Sequence, residues 1–143
     1  MITEQYVSFE TAKLLKEKGF DLGCHSCYVA FGDNAGKPQY LANTRLAETA
    51  RGTNFNWDKG AWISRPTQSL VMRWLREVYG IHIQSWCSTP ETYSENEGIR
   101  YSTVITNLNN DCAVFPTSIG DRKYNTYEEA CEEAIKYCLE NLI

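Results

Sequence analysis

The chain of 143 residues lacks a long apolar segment. No stretch approaches the roughly 18 consecutive apolar residues that a membrane-spanning helix needs. Residues 1–6 carry neither the basic stretch nor the apolar core of a secretion signal. We therefore expect a cytoplasmic protein without membrane association.

Residues and motifs that commonly perform catalysis are scarce. The chain has two histidines, His25 and His82, and both lie in segments whose alternating pattern predicts strands. A Gly-x-Ser-x-Gly nucleophile elbow, a phosphate-binding glycine loop and a dinucleotide fingerprint are all missing. A cysteine–histidine pair such as Cys87 with His25 stays open, because catalytic partners meet in space rather than in sequence. The sequence itself favours no catalytic residue and no cofactor, so we expect a protein without enzymatic activity.

The composition is that of a folded protein. Hydrophobic residues make up 43% and aromatic residues 13% of the chain, whereas disordered chains lack the apolar area that offsets the entropy of ordering. A length of 143 residues is the usual size of one domain. We therefore expect residues 1–143 to form a single domain with one hydrophobic core.

Six cysteines would allow three disulfides in an oxidising compartment. The cytosol is reducing, and a chain of this length builds a core without covalent links. We therefore interpret most of the cysteines as small, buried apolar residues. They are Cys24, Cys27, Cys87, Cys112, Cys131 and Cys138.

Cys24 and Cys27 have the spacing of metal ligands. Structural zinc takes four cysteine or histidine ligands, and two cysteines separated by two residues supply half of such a site. No second close pair follows, so folding would have to bring further ligands from His25, His82, Cys87 or Cys112. A redox pair needs a helix start to stabilise its thiolate, whereas this pair precedes a predicted strand. We favour ordinary packing and no metal.

Three segments have the spacing and end signals of helices. Ser8 is a suitable N-cap for a helix over residues 9–18, and Gly19 ends it. Near the end of the chain, Thr126 and Glu129 match a capping box. The apolar stripe predicted for this last helix is Tyr127, Ala130, Ala134, Ile135, Cys138 and Leu142.

The second helix starts at residue 66 or 67 and ends at Gly80. Its apolar residues recur at the spacing of one helix face. They are Leu70, Val71, Trp74, Leu75 and Val78.

Alternating apolar and polar residues predict strands. The predicted strands are residues 24–31, 38–42, 81–88, 99–106 and 112–115. A turn cluster joins the first two as a hairpin, in which Pro38 places the second arm at its start or on a sheet edge. We therefore expect an α+β fold, in which an antiparallel sheet of about four or five strands packs with three helices.

The middle of the chain, residues 43–76, differs from the rest in charge. It holds six basic and two acidic residues and carries +4, so the remainder of the chain carries −8. Residues 43–65 are irregular, apart from one or two helical turns predicted at residues 44–50, and such long loops are often functional. A basic segment on an acidic body favours an anionic partner.

Arginine, lysine and aromatic residues of this segment form the candidate binding site. Such residues can hold phosphates while their rings stack on bases, but no DNA- or RNA-reading motif occurs. We therefore expect a protein partner or a homo-oligomer, and nucleic acid is the alternative. The candidate residues are Arg45, Arg51, Phe55, Trp57, Lys59, Trp62, Arg65, Arg73 and Arg76.

Three blocks of the sequence are residues 66–83 (PTQSLVMRWLREVYGIHI), residues 7–20 (VSFETAKLLKEKGF) and residues 127–130 (YEEA). They resemble small uncharacterised proteins of Bacteroides-type phages and prophages. The resemblance spans the chain, with variable loops between the blocks. It implies an accessory protein of a mobile element and assigns no catalytic or binding residues. We therefore expect a non-catalytic protein-interaction module of phage origin.

Overall fold

The structure, a computed structural model of the chain, describes residues 2–40, 52–57, 60–88, 98–114 and 124–143. These residues form three α-helices and six β-strands, so the predicted α+β class is confirmed. The elements are α1 (Phe9–Glu17), β1 (Ser26–Val29), β2 (Pro38–Tyr40), β3 (Trp62–Ser64), α2 (Gln68–Tyr79), β4 (Ile81–Ser88), β5 (Arg100–Asn107), β6 (Cys112–Val114) and α3 (Tyr127–Asn141).

The chain divides into two compact units, Met1–Thr67 and Gln68–Ile143. They are called the N-terminal unit and the C-terminal unit. The expectation of a single domain is not tested by this division and stays a prediction.

The described strands lie in two antiparallel sheets of three, in the orders β2-β1-β3 and β4-β5-β6. They do not form the predicted single sheet of four or five strands. Alternation along a segment indicates a strand but carries no information about its pairing partner. β1 and β5 each have a partner on both sides within their own unit, so each set of strands forms its own sheet.

α1 begins and ends at the predicted signals. Ser8 Oγ accepts a hydrogen bond from the backbone N–H of Thr11 at 3.2 Å, which satisfies one donor that a helix start leaves open. After the helix, Gly19 has a φ of 80°, which glycine adopts without strain. Ala12 and Leu15 are fully buried, and α1 packs against β3.

β1 is the central strand of the N-terminal sheet. Its residue Tyr28 lies opposite Pro38 on β2 and Ile63 on β3. As predicted, Pro38 starts an edge strand, where its missing N–H interrupts no ladder. β3 was not predicted, because its three residues follow an irregular segment and are too few to show alternation. The helical turns predicted at residues 44–50 lie outside the described residues.

β4 and β5 pair along eight residues, from Ile81 opposite Asn107 to Ser88 opposite Arg100. β6 pairs with the other side of β5. Within this unit, α3 packs on β5 and β4, and α2 packs on β4 and α3.

The odd-numbered residues of β4 and β5 face the helices. Ile83 and Ile105 lie opposite each other and are buried. The ring of Tyr101 lies 6.4 Å from the ring of Tyr127 on α3. Because side chains alternate along a strand, the even-numbered residues lie on the opposite face of this sheet.

α2 buries Val71, Trp74 and Leu75 as predicted, but Val78 is 60% exposed. The last turn is held instead by Tyr79, whose ring lies 5.1 Å from that of Trp74. Helical spacing predicts which residues share a face, but it does not predict how far along the helix its neighbours reach.

α3 begins with the predicted capping box. Thr126 Oγ accepts a hydrogen bond from the N–H of Glu129 at 3.1 Å, and the Glu129 carboxylate accepts one from the N–H of Asn125 at 3.2 Å. Tyr127 is 44% exposed, so the buried stripe starts later than predicted. It consists of Ala130, Cys131, Ala134, Ile135, Cys138 and Leu139.

No helix among the described residues combines the length and the apolar character needed to cross a bilayer.

The backbone at Gly52 and Thr53 lies close to the backbone of Cys24, and a substitution of Gly52 tests this contact. Thr53 and Cys24 exchange backbone hydrogen bonds of 2.8 and 2.9 Å, and a β-carbon on Gly52 would lie 2.6 Å from the Cys24 carbonyl oxygen. Gly19 has a similarly positive φ but open space around it. We expect Gly19→Ala to lower the free energy of unfolding by about 1–2 kcal/mol, through backbone strain alone.

Gly52→Ala adds a clash to the same strain, so we expect it to lower the free energy of unfolding by at least about 3 kcal/mol. Urea denaturation followed by circular dichroism measures both variants. Equal losses for the two would contradict the close approach.

Candidate binding site around Arg65

Six of the predicted site residues lie in the described part of the chain. In the N-terminal unit these are Phe55, Trp57, Trp62 and Arg65. On α2 of the C-terminal unit they are Arg73 and Arg76. The other three, Arg45, Arg51 and Lys59, lie outside the described residues.

Arg65 directly follows β3, and the sheet register decides which side chains it meets. Its backbone N–H donates to the carbonyl oxygen of Ser26 at 3.0 Å, which places the two residues opposite each other. Ser26 in turn lies opposite Tyr40 on β2. Because opposite residues and next-but-one residues share a face, Arg65 meets Ser26, Tyr28 and Tyr40.

Stacking and hydrogen bonds hold the Arg65 guanidinium. Its Cζ lies 4.0 Å from the ring centroid of Tyr6 and 5.3 Å from those of Tyr28 and Tyr40. Nη1 donates to the Tyr40 hydroxyl at 2.8 Å and to Ser26 Oγ at 3.2 Å. A cation over an aromatic ring is stabilised by about 0.5–1 kcal/mol at exposed sites. These five residues are called the Arg65 cluster.

The Arg65 cluster has a buried side and an exposed side. The Tyr28 hydroxyl donates to the carbonyl oxygen of Val7, and its ring lies 5.4 Å from that of Phe9. Tyr28 is 7% exposed, whereas Tyr40 is 59% exposed. The cluster is therefore anchored at the start of α1 and open to solvent at Tyr40.

Arg65 makes no ion pair with any described residue. Its Nε is buried and has no hydrogen-bond partner among the described residues, and an unpaired buried donor costs about 1–3 kcal/mol. Burial lowers the pKa of Arg65, but interactions with Tyr40 and Tyr28 together outweigh burial and raise this pKa. The guanidinium is therefore charged and lacks a counter-ion in the described chain.

The Arg65 cluster has the chemistry of a binding site. A guanidinium presents planar donors that match a carboxylate or a phosphate, and tyrosine hydroxyls beside it add donors and acceptors. Its five members include no carboxylate, imidazole or thiol, so it offers no strong general base or nucleophile. It can bind and orient an anionic group.

The predicted aromatic residues do not join the Arg65 cluster. Trp62 lies opposite Val29 and is 44% exposed; as the third residue before Arg65, it is on the other face of the sheet. Trp57 is 84% exposed. The half-buried Phe55 donates its backbone N–H to Ser64 Oγ at 3.0 Å, so its segment is attached to β3.

Three tyrosines of the Arg65 cluster were not predicted as site residues. Tyr28 and Tyr40 occupy predicted strands of one hairpin. Because side chains alternate between the two faces of a strand, the pattern of these strands indicated that the two tyrosines could share a face. Tyr6 lies outside every predicted element. It reaches Arg65 through an isolated bridge between Tyr6 and Thr67, which no local pattern predicts.

The two predicted arginines of α2 lie on the exposed side of that helix. Arg73 Nε is 2.9 Å from Glu77 Oε1, and both side chains are more than half exposed. Such a surface pair contributes at most about 1 kcal/mol. Arg76 is exposed and forms no ion pair with a described residue.

The surroundings of Cys24 and Cys27 favour the protonated thiol over the thiolate. Both residues are buried. Burial raises the pKa of Cys24 from its ordinary value of 9.0 to about 12, and that of Cys27 to about 11. No three histidine, cysteine or acidic side chains among the described residues are placed to hold a metal ion. This environment is the opposite of the one that makes a thiolate reactive.

No protein-family model matches this chain, and neither a curated protein nor a solved structure matches it. The roles of its residues therefore rest on their geometry. The resemblance to proteins of Bacteroides-type phages stays a prediction.

Alkylation distinguishes the buried thiols from the exposed ones. All six cysteines are free thiols, and four of them are buried, as predicted for most; Cys87 and Cys112 are exposed. We expect iodoacetamide at mildly alkaline pH to modify Cys87 and Cys112 in the native protein. A rise in pKa from 9.0 to about 12 lowers the thiolate fraction of Cys24 about 1000-fold.

Peptide mass spectrometry before and after unfolding measures the modification. Cys24 and Cys27 are expected to react only after unfolding. Equal native rates for Cys24 and Cys87 would show that the Cys24–Cys27 pair is activated.

Proposed function

We propose that the protein is a non-catalytic protein-interaction module that binds its partner through the Arg65 cluster. One observation carries the proposal: a charged guanidinium is fixed by three tyrosine rings and has no counter-ion in the described chain. An anionic group of a partner would supply the missing charge.

The residue types of the Arg65 cluster favour a protein as the partner. Arginine and tyrosine are enriched among the residues that dominate binding energy at protein interfaces. Tyrosine has few rotatable bonds, so it makes contacts with little loss of conformational entropy. Because Ser26 and Tyr40 already orient the guanidinium, less order has to be imposed when a partner binds.

The partner group proposed for Arg65 is a carboxylate on a protein surface. The exposed side of the cluster at Tyr40 gives access for an aspartate, a glutamate or a chain terminus. A guanidinium can pair with a carboxylate through two parallel hydrogen bonds. Arg65 Nη1 bonds to Ser26 and Tyr40, and Nε is buried, so Nη2 is the donor group that stays available to a carboxylate.

Nucleic acid is the alternative partner, and the arginine contacts support it less well. Binding to a phosphate backbone depends on several free cations acting together. Of the three described arginines in the basic segment, Arg73 is paired with Glu77, and Arg65 and Arg76 have no ion pair with a described residue, so few cations are available together. The rest of the chain is acidic, because the net charge is −4 in spite of a basic middle.

The origin and the place of action belong to the same proposal. The resemblance of three sequence blocks to phage and prophage proteins supports an accessory protein of a mobile element, acting on a host or phage protein. The predicted cytoplasmic location is consistent with a partner of this kind.

Arg65→Lys tests the Arg65 cluster, because lysine keeps the charge but loses the planar fork and most of the stacking. We expect it to lower recovery of the partner at least tenfold in quantitative pull-downs, since arginines at such positions contribute about 2 kcal/mol or more. The matched control is Arg76→Lys, at an exposed arginine outside the cluster, which should leave recovery unchanged. Circular dichroism establishes that both variants are folded.

The results separate the proposal from its alternatives. Equal recovery by wild type and Arg65→Lys would remove the cluster from the interface. A pull-down without a partner, together with activity in a hydrolase screen, would overturn the module itself. Binding of DNA or RNA that weakens steeply with salt and loses about one unit of salt slope in Arg76→Gln would favour nucleic acid.

A further inference from the structure

The two described sheets have four edge strands, and three of them are protected. β1 and β5 are central, so β2, β3, β4 and β6 are the edges. A strand edge presents unpaired N–H and C=O groups that can pair with another chain, and proteins usually block or shorten such edges.

The protection differs from edge to edge. β2 has three residues and begins with a proline, Pro38, which has no N–H. On β3, the Ser64 N–H donates to Asn56 Oδ1 at 3.0 Å, and the Trp62 carbonyl oxygen accepts from Lys16 Nζ at 3.1 Å. β6 has three residues in the described part of the chain. Among the described residues each of these edges is therefore short, and two have an additional obstacle to pairing.

β4 is different, because it has eight residues and is roughly 27 Å long. The Leu108 N–H donates to the Gly80 carbonyl oxygen at 2.7 Å. Because hydrogen-bonded pairs alternate along an antiparallel ladder, the even-numbered residues of β4 bond to β5. The backbone groups of Ile81, Ile83, Ser85 and Cys87 point away from β5, and no described residue bonds to them.

The sequence of β4 contains none of the usual obstacles to pairing. Residues 80–88 include no lysine, arginine, acidic residue or proline. Trp86 is 43% exposed, and Cys87 is also exposed. This edge can accept another strand without opposing a charge or losing a donor.

We infer that β4 pairs antiparallel with β4 of a second copy of the chain, which forms a two-fold dimer with a continuous six-stranded sheet. In a two-fold arrangement each residue i faces a residue j on the other copy, and j faces i. When Gln84 lies opposite Gln84 of the second copy, Ile83 pairs with Ser85 and Ile81 pairs with Cys87 of that copy. All four residues whose backbone groups point away from β5 then join the new ladder.

The same register is favourable for the side chains. It places Gln84 beside Gln84 of the second copy, and two amides can hydrogen-bond to each other. It also places Trp86 beside His82 of the second copy, and opposite side chains of this kind stabilise antiparallel pairs. No like charges meet, because β4 is uncharged.

The dimer also brings two helices together. α2 packs on β4, the edge strand, so joining two β4 edges brings the α2 helices of the two copies closer to each other. Val78 of α2 is an apolar residue that is 60% exposed. This inference concerns the C-terminal unit and does not depend on the Arg65 cluster.

Sedimentation equilibrium of the full chain at micromolar concentrations tests the dimer. We expect a reversible dimer, and we expect Gln84→Lys to raise its dissociation constant at least about tenfold, since two lysines would face each other at the axis. Gln39→Lys is the matched control, because Gln39 is an exposed glutamine on the protected edge β2; it should leave the dimer unchanged.

Cross-linking tests the register. Opposite residues of a non-hydrogen-bonded pair have Cα atoms about 4.5 Å apart, which suits a disulfide. With Cys87 and Cys112 replaced by serine, Gln84→Cys is expected to form an interchain disulfide in oxidised glutathione, which takes up the two electrons released by the thiols. Gln39→Cys in the same background should not cross-link.

Three outcomes would overturn the inference. The first is a chain that is monomeric at every concentration. The second is a dimer that Gln84→Lys does not weaken or that Gln84→Cys does not link. The third is a monomer that binds an extended peptide along β4, which would identify the edge as a site for another protein.

Discussion

The contact between Arg65 and three tyrosine rings joins parts of the N-terminal unit that are distant in sequence. Tyr6 precedes α1, Tyr28 lies on β1, and Tyr40 lies on β2. Each ring contributes little by itself, but together they fix one charged group against three segments. Stabilisation comes from rings and hydroxyls rather than from a carboxylate of the described chain. The same arrangement that stabilises this unit therefore also leaves a cation able to bind an anion.

Local signals predicted the elements of the fold better than their arrangement. Ser8 and Thr126 cap helices at the predicted positions, because capping depends on a few neighbouring residues. The division into two sheets depends on which strands pair, and pairing is not encoded in the alternation of one segment. The exposure of Val78 has the same origin, since helical spacing does not specify the extent of the surface that faces the helix.

The sequence predicted a basic and aromatic site that includes Arg65, but it did not predict which aromatic residues surround Arg65. Arg65 was identified through its basic surroundings, and the sequence indicated tryptophans and further cations as its companions. In the folded chain its companions are tyrosines, because the register of β1, β2 and the residue after β3 brings Ser26 and Tyr40 opposite one another and Arg65. A register is set by the whole sheet and its turns. Charge patterning along the sequence carries no information of this kind.

The two units differ in how the polar groups at their strand edges are satisfied. Because of this difference, the contact proposed for one unit depends on charge and that proposed for the other depends on backbone hydrogen bonds. In the N-terminal unit, Asn56 and Lys16 each bond to one backbone group on the edge of β3, so a partner meets mainly side chains and above all the Arg65 charge. In the C-terminal unit, β4 offers backbone groups that are neutral and independent of side-chain identity. At an ionic strength of 0.1 M the Debye length is about 10 Å, so added salt weakens the attraction between exposed charges. It has little effect on the hydrogen bonds of a backbone ladder. Raising the ionic strength should therefore weaken a contact at Arg65 while leaving a contact at β4 in place.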